Sequence, residues 1–256
     1  MRVITRDWYR APNGPNADPR ETEAIKNDAI RQMGVMYPGR ITSKIFRTEH
    51  DAIVVYTRVP SRTKKNLNYD VLIMFEALSQ ADFDTSLWEL PFRAFSNAPS
   101  FYWRFAKAFQ SNDMFIDFLV SKYTGDIWEK EAHRFNPDLQ IGYERTVYTA
   151  MAKLYQSSGI MQPFRAVLRG AIRSNTTQIG RMVKTQSQIE SAWASYPDTK
   201  RVAKEKKERE AYMNRTKPSV HRANSSPVVK ASKYSPKSAK TKRTKFSPKT
   251  AKTKRI

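Results

Sequence analysis

The 256-residue chain predicts an α+β fold: a small antiparallel three-stranded sheet, then a cluster of about five helices, then a disordered basic C-terminal tail. Three observations carry this expectation. Apolar residues alternate with period two over residues 40–77, as half-buried strands require. Beyond Glu76 they recur at helical spacing as far as Trp193. Near residue 200 the composition changes: residues 1–200 carry 27 basic and 21 acidic side chains, whereas residues 201–256 carry 19 and 3. The expected segments are an irregular arm over 1–17, a globular domain over 18–200 and the tail over 201–256.

Taken in order, Arg10-Ala11-Pro12-Asn13-Gly14-Pro15 reads as irregular. Asp18-Pro19-Arg20-Glu21 reads as a helix start, with Asp18 as N-cap, Pro19 in the first turn and Glu21 at the capping-box position. Ile25, Ala29 and Met33 follow at helical spacing, and Gly34 is the expected stop. Three strands are read from Ile41, Ser43 and Ile45, from Ile53, Val55 and Thr57, and from Tyr69, Val71, Ile73 and Phe75. Their connections, Thr48–Asp51 and Pro60–Asn68, have hairpin lengths rather than crossover lengths. Helical stripes then follow: Phe101, Phe105 and Phe109; Phe115, Phe118, Leu119 and Tyr123; Tyr143, Val147, Ala150, Met151 and Leu154; Phe164, Val167, Leu168, Ala171 and Ile172; and a last helix through Ile179, Met182, Val183, Ile189 and Trp193.

The tail is the most specific feature. The last acid is Glu210, and the residues after it carry 14 Lys and Arg. The segment from 201 has no Leu, no Gly and only Tyr212, Tyr234 and Phe246 as aromatics. So little apolar surface cannot offset about 1–2 kcal/mol of backbone ordering entropy per residue. Within it, Tyr234-Ser235-Pro236-Lys237-Ser238-Ala239-Lys240-Thr241-Lys242-Arg243-Thr244-Lys245 is repeated as Phe246-Ser247-Pro248-Lys249-Thr250-Ala251-Lys252-Thr253-Lys254-Arg255-Ile256. Every aligned pair before Ile256 is identical or conservative. A degenerate third copy begins at Ser226-Pro227, near Lys230 and Lys233. The unit is too short to build its own core and reads as a multiplied binding element. Ser-Pro favours a turn. The cations after it meet phosphates, and one aromatic per unit can stack on a base or wedge in a groove. The expected nucleic-acid-binding residues are therefore Lys230, Lys233, Tyr234, Ser235, Pro236, Lys237, Lys240, Lys242, Arg243, Lys245, Phe246, Ser247, Pro248, Lys249, Lys252, Lys254 and Arg255.

These units resemble the Ser-Pro-Lys-Lys repeats in the tails of linker-histone-like and sperm histone proteins. That resemblance implies DNA binding and covers about residues 226–256, with Ser238 and Thr250 standing where the second Lys would be. The middle of the chain, from Phe95-Ser96-Asn97-Ala98-Pro99-Ser100-Phe101 to Tyr143-Glu144, resembles uncharacterised proteins of tailed-phage structural gene clusters.

Secondary basic candidates lie in the domain. Arg165, Arg169 and Arg173 are spaced four apart, as on one helical ridge, and Arg181 and Lys184 follow. Arg62, Lys64 and Lys65 occupy the second strand connection. Each set reads equally as a solvated face. Phe101-Tyr102-Trp103-Arg104-Phe105 offers a stacking platform, although Phe101, Phe105 and Phe109 have core spacing. For enzyme chemistry the signals are poor. There is no cysteine, and His50, His133 and His221 lack metal-ligand spacing. Phosphate-binding glycine loops are absent, and only Asp70 and Glu76 offer nuclease-like carboxylates. The expectation is a non-enzymatic protein with no metal and no cofactor. Its expected partner is nucleic acid, DNA ahead of RNA, with the domain anchoring it through self-association or virion proteins; a phage structural protein and a nuclease are the alternatives. No apolar run of membrane-spanning or signal-peptide length is present. The expected setting is intracellular: cytoplasm or nucleoid, the nucleus of a eukaryotic host, or a virion.

Overall fold

The computed structural model describes residues 3–12, 19–31, 41–123, 136–139, 141–198, 204 and 207. Asp18, Met33, Gly34 and the whole repeat region therefore lie outside the described residues. The helix expected after Asp18 is present as α2, Pro19–Arg31. The residues read as an irregular arm contain a helix, α1, Thr5–Arg10. It is pinned by Thr5, whose N–H and hydroxyl both donate to the carbonyl of Leu90 at 3.0 and 2.7 Å.

The expected three-stranded antiparallel sheet is corrected to a five-stranded mixed sheet of order β4-β3-β2-β1-β5. Strands β1, Thr42–Arg47, β2, Ile53–Pro60, and β3, Asn68–Phe75, form the expected antiparallel meander. It continues into β4, Phe92–Ser96, antiparallel to β3. The fifth strand, β5, Ile172–Arg173, runs parallel to β1 along the opposite edge. Pro91 and Pro99 bracket β4 closely, so its short run lacks a visible alternation. β5 was read as the end of a helix.

After β4 come α3, Pro99–Arg104, α4, Ala106–Ser111, α5, Arg145–Gln156, α6, Phe164–Gly170, α7, Thr176–Met182, and α8, Gln186–Ser195. The stripe through Phe101 and Phe109 breaks at Phe105 into α3 and α4, although both outer rings are fully buried. Phe115 is extended, bridging to Ala94, and Asp117–Lys122 is a 3-10 turn. The single last helix becomes two. Asn175 with Gln178 and Thr185 with Gln188 each close a reciprocal capping box, so the second start interrupts the first helix.

Register identifies the two faces of the sheet. Thr57, Val71 and Ser96 lie in one row, and Ser96 shares a hydroxyl bond of 2.7 Å with Thr146 of α5. That face therefore lies under α5. The opposite row includes Tyr56, Leu72 and Phe95, and Phe95 packs on the rings of Phe115 and Tyr123. With both faces covered, β2 and β3 are buried almost along their whole length, which explains their nearly unbroken apolar run. The start of α5 is fixed by the buried carboxylate of Glu144. It accepts from Val147 N–H at 2.8 Å, Thr146 hydroxyl at 2.6 Å and Ser100 hydroxyl at 2.7 Å.

Candidate nucleic-acid interface

All seventeen tail residues expected to bind nucleic acid, Lys230 to Arg255, lie outside the described residues. The secondary candidates are described, and they fall into separate places.

The arginine ridge does not hold together. Helix α6 ends at Gly170, so Arg165 and Arg169 share a helix but Arg173 does not. Arg165 pairs with Asp84 at 3.4 Å. Arg169 is exposed. Arg173 lies on edge strand β5, in register with Arg47 of β1, which is itself held by Asp51 at 2.6 Å. Beside it, Glu49 accepts from Thr176 N–H at 3.0 Å and from the Thr176 hydroxyl at 2.8 Å. Hydrogen bonding, first from its own backbone N–H and then from Thr176, holds the Glu49 carboxyl below its ordinary value.

Arg62, Lys64 and Lys65 do come together, in the loop between β2 and β3. Ser61 builds this loop. Its hydroxyl accepts from the N–H groups of Thr63 at 3.3 Å and Lys64 at 3.1 Å, and its own N–H donates to Leu67 carbonyl at 2.8 Å. Asn66 closes the turn with a φ of 67°, a left-handed conformation that Asn tolerates better than most residues. Arg62 pairs with Asp28 of α2 at 3.3 Å. Lys64 places its ammonium 4.4 Å from the ring centre of Trp193 on α8. Lys65 is exposed, and its N–H donates to Pro197 carbonyl at 3.1 Å. Lys64 and Asp198 form an antiparallel bridge, so the loop also holds the chain just before the basic tail.

Helix α8 docks beside this loop through a small core of Leu67, Tyr69, Ala98 and Ile189. Trp193 extends the Ile189 stripe by one turn and remains 42% exposed. Burial raises the Tyr69 pKa, outweighing the opposing hydrogen bond with the Ser61 hydroxyl. Sequence reasoning assigned Trp193 to an apolar stripe. Nothing in the sequence links it to Lys64.

Lys184 sits at the corner between α7 and α8, where its N–H donates to Asp70 at 3.0 Å; Arg181 is exposed one turn earlier. Asp70 is only 2% exposed. Besides Lys184, it accepts from the Tyr56 hydroxyl at 2.7 Å and from Asn97 Nδ2 at 3.0 Å. Burial first, and then the neighbouring Asp70 charge, push the Tyr56 pKa up. Glu76 lies six residues along, just past the end of β3 and about 20 Å away, and faces Arg93 at 3.8 Å. The two carboxylates considered for a nuclease therefore do not converge. Among the described residues, no group of three or more His, Asp or Glu is placed to hold a metal ion. No described helix is long and apolar enough to cross a membrane.

Phe101 and Tyr102 of the aromatic run are buried and Trp103 packs against the core. Among the described aromatic residues, Trp193 on α8, Tyr155 on α5 and Tyr196 are exposed instead. Neither a protein-family model, nor a curated protein, nor a solved structure matches this chain.

Proposed function

We propose that the chain is a non-enzymatic nucleic-acid-associated protein. Its basic C-terminal segment grips phosphates, DNA ahead of RNA, and its folded part anchors or assembles it. One observation carries this reading: the charge is segregated. Residues after Glu210 carry 14 cations and no acid, much of it in a duplicated Ser-Pro-Lys register. The folded part supports it by contrast. Several of its arginines face carboxylates of their own fold: Arg62 with Asp28, Arg165 with Asp84, and Arg93 with Asp113 and Asp117. Such cations are already occupied, whereas the residues after Glu210 include no acid to pair with.

Counterion release sets the scale. If half of the tail cations engage duplex phosphates, log K falls against log salt with a slope near about −6. The test is a salt titration of duplex DNA binding by the full chain and by a full chain whose tail Lys and Arg after Glu210 are changed to Gln. The expected result is a steep slope that collapses in the neutralised chain. Equal, salt-tolerant binding by both would overturn the reading and move the function to the folded part. Phosphorylation of Ser235 and Ser247 would place negative charge inside the cation cluster and is expected to weaken binding. Unchanged affinity of the doubly phosphomimetic chain would remove that element.

A further inference from the structure

We propose that the β2–β3 loop and α8 form a second contact for the same nucleic acid, in which Trp193 stacks on a base of a single-stranded segment and Lys64 and Lys65 meet its phosphates. This rests on the functional reading above and gives the folded part a binding role of its own.

Four observations converge. First, among the described residues Trp193 is the exposed indole: Trp8 is 3% exposed, Trp88 is buried and Trp103 is packed against the core. Second, the indole is held in place. Ile189, one turn earlier on α8, is fully buried in the small core with Leu67, Tyr69 and Ala98. A fixed ring loses less freedom on stacking than a mobile one. Third, cations surround it. The Lys64 ammonium lies 4.4 Å from the ring centre, with Lys65 next in sequence. Of the acids on these elements, Asp28 pairs with Arg62, Glu190 accepts from Gln186 Nε2 at 3.1 Å, and Asp198 stands opposite Lys64 in the strand bridge. Fourth, Pro197 and Asp198 are strapped to the loop, and the basic segment follows three residues later in the sequence.

The magnitudes permit the exchange. An exposed cation–π pair is worth a factor of only about 2–5 in an equilibrium constant. Base stacking on an aromatic residue is worth about 5–150. A base that displaces Lys64 from the ring thus gains more than it disrupts, and the released ammonium stays beside the nucleotide's phosphate.

The experiment uses the full chain with an oligothymidylate of about 20 nucleotides, followed by indole fluorescence and by affinity across salt. The wild type is expected to show quenching on binding. Trp193→Ala should lose that quenching and bind about tenfold more weakly, while Trp193→Phe keeps most of the affinity. Lys64→Ala with Lys65→Ala should flatten the salt slope by about 1.4, from about 0.7 per phosphate contact. Because Trp193→Ala touches α8, circular dichroism is run alongside, and Lys65→Glu serves as an independent probe on an exposed side chain. Wild-type affinity and quenching in Trp193→Ala, or wild-type affinity in Lys65→Glu, overturns the proposal. If the tail-neutralised chain loses binding in the same assay, the broader reading survives that outcome. If the tail-neutralised chain instead binds like the wild type, the broader reading fails first.

Discussion

Trp8 and Trp193 are both helical tryptophans, and their surroundings are opposite. Trp8 on α1 meets Phe92 at 5.2 Å and Tyr148 at 5.7 Å between ring centres. The cluster continues through Tyr9, stacked on Tyr148 at 4.9 Å and on Tyr155 at 5.2 Å. Trp193 on α8 has Lys64 over its ring and water over much of the rest. One indole is committed to packing helix against sheet. The other is only partly buried and keeps a polarisable face turned outward. Aromatic content alone therefore says little about binding; what surrounds each ring decides it.

The largest expected effect breaks the packed side of this comparison. Trp8→Ala should lower the unfolding free energy by about 3–5 kcal/mol in a denaturant melt, whereas Trp193→Ala should cost less than about 1 kcal/mol. Equal losses would mean that α8 depends on its tryptophan as heavily as α1 does. A smaller effect is expected at the buried polar pair between the two regions. Tyr56→Phe removes one donor from Asp70 and should cost about 1.5–3 kcal/mol, with no change in the salt slope of nucleic-acid binding. A changed slope would tie Asp70 to the interface.

The packed side also predicts a pH response. Burial first, and then a neighbouring group (Asp70 for Tyr56, Glu144 for Tyr143, Tyr9 for Tyr148), holds these three phenols above the ordinary value of 10.0. Neutral phenols raised in this way contribute stability that is fully present below pH 10.0 and is lost as pH rises through their folded values. Thermal melts should therefore fall steeply above about pH 10, with tyrosinate absorbance appearing together with unfolding. Tyrosinate forming near that pH in an intact fold would show the rings to be open to solvent. Smallest of all, Arg165→Ala should change stability by no more than about 0.5 kcal/mol and leave polyanion affinity nearly unchanged, since its partner Asp84 offsets its charge.

The central meander was legible because each strand carries period-two apolar residues between short connections. β4 was not: a strand of five residues, with Pro91 before it and Pro99 soon after, gives too few repeats for a period to emerge. β5 was misread because the stripe through Phe164, Val167 and Leu168 continues in register to Ala171 and Ile172. Gly170 is the end of that helix, and Ile172 is 56% exposed on the sheet edge. The same overrun made Arg173 the third member of a ridge that the fold divides. α1 was missed because a helix of six residues completes fewer than two turns. In the loop, Arg62, Lys64 and Lys65 were visible as a charged run. Their partner Trp193 was not, because 129 positions separate it from Lys64 and only docking through Leu67, Tyr69 and Ile189 brings it near.

β5 also bears on the order in which the molecule assembles. Its register pairs Phe46 with Ile172, and Glu49 reaches Thr176 across 127 positions. Closing so long a loop costs more entropy than closing the hairpins between β1, β2 and β3, which can pair as soon as they emerge. The edge strand, α7 and α8 are therefore the late arrivals in folding. A core substitution such as Ile179→Val in α7 would report this as a folding φ-value near zero, beside substantial values at Val55 and Ile73. The rim that presents Trp193 is then finished only once the central meander has formed.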